Sequence, residues 1–150
     1  MEKKDTIVRA VEIEAPLEFV WECITQPEHL VQWFGDRAEV DLREGGAILF
    51  GWEGVVARGE IVTIDPPREF TFRWENNVDV PDLDQPPVTL VTYQLEASEN
   101  GTRLTVIESG FAALRDDAYA QAYPQNESGW RVEIEELVTY IAGQAGSQLS

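Results

Sequence analysis

The side chain best placed to do chemistry is Glu108. Over residues 102–109, Leu104, Val106 and Glu108 alternate with Thr105 and Ile107. If period two is kept, Glu108 shares the face of Leu104 and Val106, which must be the buried one. A carboxyl inside an apolar cavity has a raised pKa and can act as acid, base or hydrogen-bond anchor. The simpler expectation is that the strand ends or bulges there and Glu108 reaches water, because glutamate is almost never fully buried without partners. It is the one, weak, catalytic candidate.

Aromatic residues are the second group. Trp33, Phe34, Phe50, Trp52, Phe70, Phe72, Trp74, Tyr93, Phe111 and Trp130 exceed what packing alone needs. Core packing is the default role for any one of them. A subset lining a hollow would offer flat apolar walls with a few N–H and O–H groups, which suits a planar or lipid-like ligand. Trp33 and Phe34 lie on a short helix expected at the mouth of such a hollow, while Phe72, Trp74 and Trp130 should face inward. Trp52, Tyr93, Phe111 and Glu108 complete the candidate ligand-binding set.

Other chemistries find little support. His29 is the only histidine, and beside Glu28 in a short helix its default is a surface or capping role. One histidine and a distant Cys23 do not make a metal site, nor a Ser-His-Asp or Cys-His set. Cys23 lies in a helix with no cationic sequence neighbour to lower its pKa, so it reads as inert. Arg58, Glu60 and Arg73 read as a solvated cross-strand cluster on the outer face. Glu44-Gly45-Gly46 joins two strands and opens no helix, so it is not a phosphate loop. No cofactor or metal is expected.

These residues must be positioned by a definite order of elements. Residues 6–14 are β-rich, with Ile7, Val11 and Ile13 on one face. Pro16 opens a short helix whose buried stripe is Leu17, Val20, Trp21 and Ile24. A second short helix spans 28–34 and stops at Gly35. From Asp36 the period becomes alternating, through Ala38, Val40 and Leu42, then Ile48, Phe50 and Trp52. Strands over 55–64 and 69–75 follow, the second alternating Phe70, Phe72 and Trp74 with Thr71 and Arg73. Residues 76–87 are a polar, acidic loop, and 88–98 with 102–109 form a hairpin around Asn100-Gly101. Pro124 and Gly129 interrupt the helical reading that follows. Beyond Pro124, Trp130, Ile134, Leu137, Val138 and Ile141 mark an amphipathic helix with Gly143 just past its end.

One strand, two short helices, six antiparallel strands and a long helix predict an α+β fold: a curved seven-stranded sheet gripping the C-terminal helix, with a hollow between them. This order resembles the helix-grip family of START-like, birch-pollen-allergen-like domains (SRPBCC). Within it, the chain is most similar to the branch named after the activator of the heat-shock-protein-90 ATPase. The resemblance is carried by residues 13–21 (IEAPLEFVW), 27–35 (PEHLVQWFG), 65–74 (DPPREFTFRW), 101–111 (GTRLTVIESGF) and Gly129-Trp130. It implies a cavity, but no universal catalytic residue. Members include co-chaperone domains, lipid and polyketide binders and aromatase/cyclases. Co-chaperone members carry a separate N-terminal domain that this sequence lacks, which weighs against a chaperone role.

Length and charge set the outer bounds. The 150 residues suit a single domain spanning 1–150. A hydrophobic content of 43% excludes intrinsic disorder. With 28 Asp and Glu against 11 Lys and Arg, the net charge of −17 repels nucleic acid and anionic membranes. A single cysteine excludes an internal disulfide, and no apolar run could span a bilayer. Without a signal core, the two glycosylation sequons (at Asn100 and Asn126) carry no weight, and a cytoplasmic, soluble protein is expected. The sequence therefore points first to a binding protein for a hydrophobic or aromatic small molecule, as monomer or homodimer. A cyclase- or dehydratase-like enzyme and an interaction domain for a chaperone ATPase are the alternatives.

Overall fold

Two short helices interrupt the sheet after its first strand. The computed structural model describes residues 2–148, so the expected 1–150 domain includes three residues outside that range. In chain order it contains β1 (Thr6–Ile13), α1 (Leu17–Thr25), α2 (Pro27–Trp33), β2 (Arg37–Val40), β3 (Ala47–Trp52), β4 (Val55–Asp65), β5 (Glu69–Glu75), β6 (Val88–Ser98) and β7 (Gly101–Ser109). A 3-10 turn, Phe111–Ala113, leads into α3 (Asp116–Gln148). The seven strands form one antiparallel sheet in the order β1-β7-β6-β5-β4-β3-β2. This is the expected α+β helix-grip fold. Among the described residues, no helix is long and apolar enough to cross a membrane.

Alternation explains the grip. Phe70, Phe72 and Trp74 on β5, Val91, Tyr93 and Leu95 on β6, and Leu104 and Val106 on β7 all turn to one buried face. Between β4 and β5 the register shifts at Ile61 and Thr63, a bulge that adds twist and curls the sheet. Into the concave face α3 inserts Ala118, Ala122, Trp130, Ile134, Leu137 and Ile141, at steps of three, four and eight residues. Full burial of a side chain such as Leu137 contributes about 1.5–3 kcal/mol, so this stripe holds the helix in place.

The sequence reading of α3 needs correction. The helix passes through Pro124, Gly129 and Gly143 without a break. Pro124 and Ala120, whose carbonyl loses its helical partner, are both exposed, so solvent can satisfy the freed group. The opposite face is meanwhile clamped to the sheet, and packing outweighs the local cost. Residues 76–87 are likewise fastened rather than loose. Gln121 on α3 accepts from the Asp79 amide at 2.7 Å and donates to its carbonyl at 2.8 Å. Arg115 donates to the carbonyls of Pro81 at 2.6 Å and Asp82 at 3.2 Å.

Gly35 sets the angle between α2 and β2. Its φ is +80°, and a Cβ there would meet the Gly51 carbonyl oxygen at 2.3 Å and Trp52 Nε1 at 3.1 Å. Both the left-handed backbone and the close approach require glycine. Gly35→Ala should therefore cost about 1–3 kcal/mol, read as a lower urea midpoint. A midpoint equal to the parent's would show that the α2–β2 corner tolerates a side chain.

Candidate functional site

Glu108 lies near the C-terminal end of β7 on its inner face, between Ile7 on β1 and Val91 on β6. The expectation that it reaches water is wrong: it is 0% exposed. The strand continues in register through Ser109, so there is no bulge to turn the side chain outward.

What makes this burial tolerable is a set of four donors. Oε2 accepts from Trp74 Nε1 at 2.9 Å, Thr89 Oγ1 at 2.6 Å and Asn126 Nδ2 at 2.9 Å. Oε1 accepts from Trp130 Nε1 at 2.8 Å. Register explains the convergence: Trp74 stands opposite Thr89, and Thr89 is diagonal to Glu108 across β6 and β7. A second layer orients the donors. Asn76 Nδ2 donates to Thr89 Oγ1 at 2.8 Å, leaving the threonine proton for Glu108. Asn126 Nδ2 also donates to Asn76 Oδ1, at 2.6 Å.

Burial pushes the Glu108 carboxyl above its ordinary range, and the hydrogen bonds from Thr89, Trp74, Trp130 and Asn126 pull against that shift. Each bond to a charged group contributes about 1.5–3 kcal/mol, and burying an ion costs several kcal/mol. Four such bonds are therefore enough to hold a carboxyl here.

On the far side of the two indoles lies an open cleft of about 340 Å³. Its walls are Trp52, Val55, Ala57 and Trp74 from the sheet, Phe34 from the end of α2, and Trp130 from α3. Asn76, Asn77, Gln125 and Asn126 supply polar groups, and Glu75 and Glu133 supply carboxyls. Phe34 joins the walls: it stacks on Trp130 at 5.5 Å and on Trp74 at 5.9 Å, and meets Trp52 edge-on at 5.1 Å. Gly129 faces the cleft as well, and a Cβ there would meet nothing within 4 Å.

Of the nine residues expected to bind ligand, the cleft brings together Phe34, Trp52, Trp74 and Trp130. The other five lie behind it or elsewhere. Glu108 is behind the indoles. Phe72 is wholly buried against Phe50 and Trp74. Tyr93 stacks on Phe70 and meets Trp130 edge-on, with its hydroxyl unpartnered. Trp33 is spent on fixing α2 to α1, donating to the Cys23 carbonyl at 2.9 Å. Phe111 packs against Tyr123 before and within the first turns of α3.

Two further expectations meet the structure differently. Cys23 is wholly buried, and desolvation, with Glu22 adding to it, pushes its thiol up to about 12, so it stays unreactive. His29 is not a cap: it is half-buried, with Nδ1 2.8 Å from the Tyr140 hydroxyl, and ties α2 to α3.

Asn126 and Glu133 line the cleft and are candidate site residues that sequence reasoning missed. Together with Trp130 they fall at i, i+4 and i+7 on one face of α3. That signal was hidden by breaking the helix at Pro124 and Gly129. Glu133 is half-buried, and its carboxyl is raised to about 7, by desolvation first and by Glu136 second, with the Trp52 indole opposing.

Replacing Glu108 tests the donor set. Glu108→Gln turns an N–H₂ toward one of the donors and should cost about 1–3 kcal/mol, the usual penalty for one unsatisfied buried group. Glu108→Leu, which strands all four donors, should lose more. Urea unfolding with tryptophan fluorescence reads both, and parental stability in the leucine variant would refute the arrangement. For Glu133, a folded pKa near 7 above an ordinary 4.5 means stability is fully present below about 4.5 and lost as pH rises through about 7. The melting temperature of the parent should accordingly fall relative to Glu133→Gln across that window. Parallel profiles would contradict the assignment.

No curated protein matches the sequence significantly. Solved structures do. A Mesorhizobium loti protein, MLL2253, superposes with a TM-score of 0.79 at 24% identity, over 91% of this chain and 96% of that one. DynU16, from the dynemicin biosynthetic locus, gives a TM-score of 0.76 at 25% identity over 93% of this chain, which spans 48% of DynU16. The Aha1 dimer from Colwellia psychrerythraea gives 0.70 at 19% identity, over 91% and 95%. The family described as activator of Hsp90 ATPase homolog 1-like protein matches residues 14–142. With most of its length covered by that match, this chain belongs to the activator of Hsp90 ATPase homolog 1-like family.

Proposed function

We propose that the protein binds a small apolar, aromatic molecule in the cleft between the end of the sheet and α3. The observation that carries this is the state of the indoles. The N–H groups of Trp74 and Trp130 are committed to Glu108, so the cleft meets mainly their carbon surfaces. At about 340 Å³ the space suits a ligand at the small end of the usual range. Affinity would come from burial at about 25 cal/mol per Å² of apolar surface, and the amides of Asn77, Gln125 and Asn126 would orient polar substituents.

A second reading, a cyclase- or dehydratase-like enzyme, rests on Glu133 rather than Glu108. Glu133 borders the cleft with a pKa near 7, suited to proton transfer at neutral pH. Glu108, with four groups donating to it and an indole wall in front, is a positioning residue on either reading. The role of an interaction domain for a chaperone ATPase follows from the family name alone.

The test is an amide chemical-shift titration against sterols, fatty acids, flavonoid-like aromatics and polyketide mimics, with each compound recovered and checked by chromatography. Shifts should cluster at Phe34, Trp52, Trp74 and Trp130, with the compound unchanged. Recovery of a transformed compound would favour the enzyme. Gly129→Leu serves as the control: it fills the cleft from a position with room for a side chain, and removing a helix glycine should stabilise by about 0.5–1 kcal/mol. Binding that survives in this folded variant would place the ligand elsewhere.

A further inference from the structure

Charge inside the cleft is one-sided. The ionisable groups that line it are Glu75 and Glu133, and among the described residues neither Lys nor Arg lines it. The remaining polar lining is neutral amide, and the walls are the π-faces and edges of Phe34, Trp52, Trp74 and Trp130. Such walls attract a cation through the ring quadrupole, most strongly where water is displaced. Indoles whose N–H groups donate to the Glu108 carboxyl oxygens gain electron density in the ring, which strengthens that attraction. The net charge of −17 further concentrates cations at the surface and depletes anions.

We propose that the ligand of this cleft is an aromatic amine carrying a positive charge, its ring packed between Trp52, Trp74 and Trp130 and its ammonium group facing Glu133. The inference rests on reading the cleft as a ligand site and adds the chemical class. A carboxylate- or phosphate-bearing ligand would meet two carboxyls and no compensating cation, and is excluded on the same ground.

Three probes of one shape separate the alternatives: 2-naphthylmethylamine, which is protonated, 2-naphthylmethanol, which is neutral, and 2-naphthoate, which is anionic. They are titrated calorimetrically into the intact protein at about pH 8, where Glu133 is ionised. The amine should bind about tenfold more tightly than the alcohol, and the naphthoate more weakly than both. Glu133→Gln should bring the amine down toward the alcohol. An alcohol that binds as well as the amine, or a naphthoate that binds best, overturns the inference while leaving the cleft a ligand site. A preference for the amine that persists in Glu133→Gln overturns the role given to that carboxyl. Failure of all three probes overturns the inference together with the binding function.

Discussion

A carboxyl sealed inside an apolar sheet is the constraint around which the rest of this molecule is arranged. Glu108 is tolerated only because Trp74, Thr89, Trp130 and Asn126 all donate to it. Those four come from β5, β6 and α3, so the network requires that sheet and helix be in one relative position. A displacement of α3 along the sheet by one helical step would remove two donors at once and leave a buried carboxyl short of partners. Hydrophobic burial along Leu137 and Ile141 would survive such a slip far better, since apolar contacts are not directional. The stripe supplies most of the stabilisation, whereas Glu108 selects the register.

That selection explains features that otherwise look like local oddities. Proline and glycine inside α3 each weaken the helix, yet the helix must run straight past them so that Asn126 and Trp130 arrive on the same side. The side chain of Asn76 is nearly buried at the start of a loop because it orients Thr89 and steadies Asn126. The loop that follows is fastened to α3 by Gln121 and Arg115, which keeps Asn76 and Asn77 at the rim.

How far the sequence could be read follows from the same division. Alternation at Phe70, Phe72 and Trp74, or at Leu104 and Val106, is a local signal and translated directly into strands of the expected extent. The strand-and-helix order read from those periods then carried the family resemblance. Glu108 was legible as facing inward by period, but glutamate's usual exposure argued the other way, because the compensating donors are dispersed between Trp74 and Trp130 and converge only in the folded sheet. Asn126 looked like part of a sequon for the same reason. Pro124 misled because helix propensity is local, whereas the clamp holding α3 is tertiary. Among the aromatics, sequence gave no means of telling Trp74 from Phe72: both face inward, and only the curvature of the sheet decides which one borders open space.

The indole wall therefore has two sides with different electrostatics. Behind it Glu108 is saturated with donors and sealed from solvent. In front of it Glu133 is half-buried, and its surroundings offer repulsion from Glu136 and little hydrogen bonding. The rear carboxyl can do no chemistry without dismantling the wall, while the front one has the Trp52 indole beside it and no cation. A ligand that brings positive charge on an aromatic ring answers both conditions at once, since its ring meets indoles polarised by Glu108 and its charge relieves Glu133. The buried carboxyl would then act on the ligand through the tryptophans that it holds, without touching it.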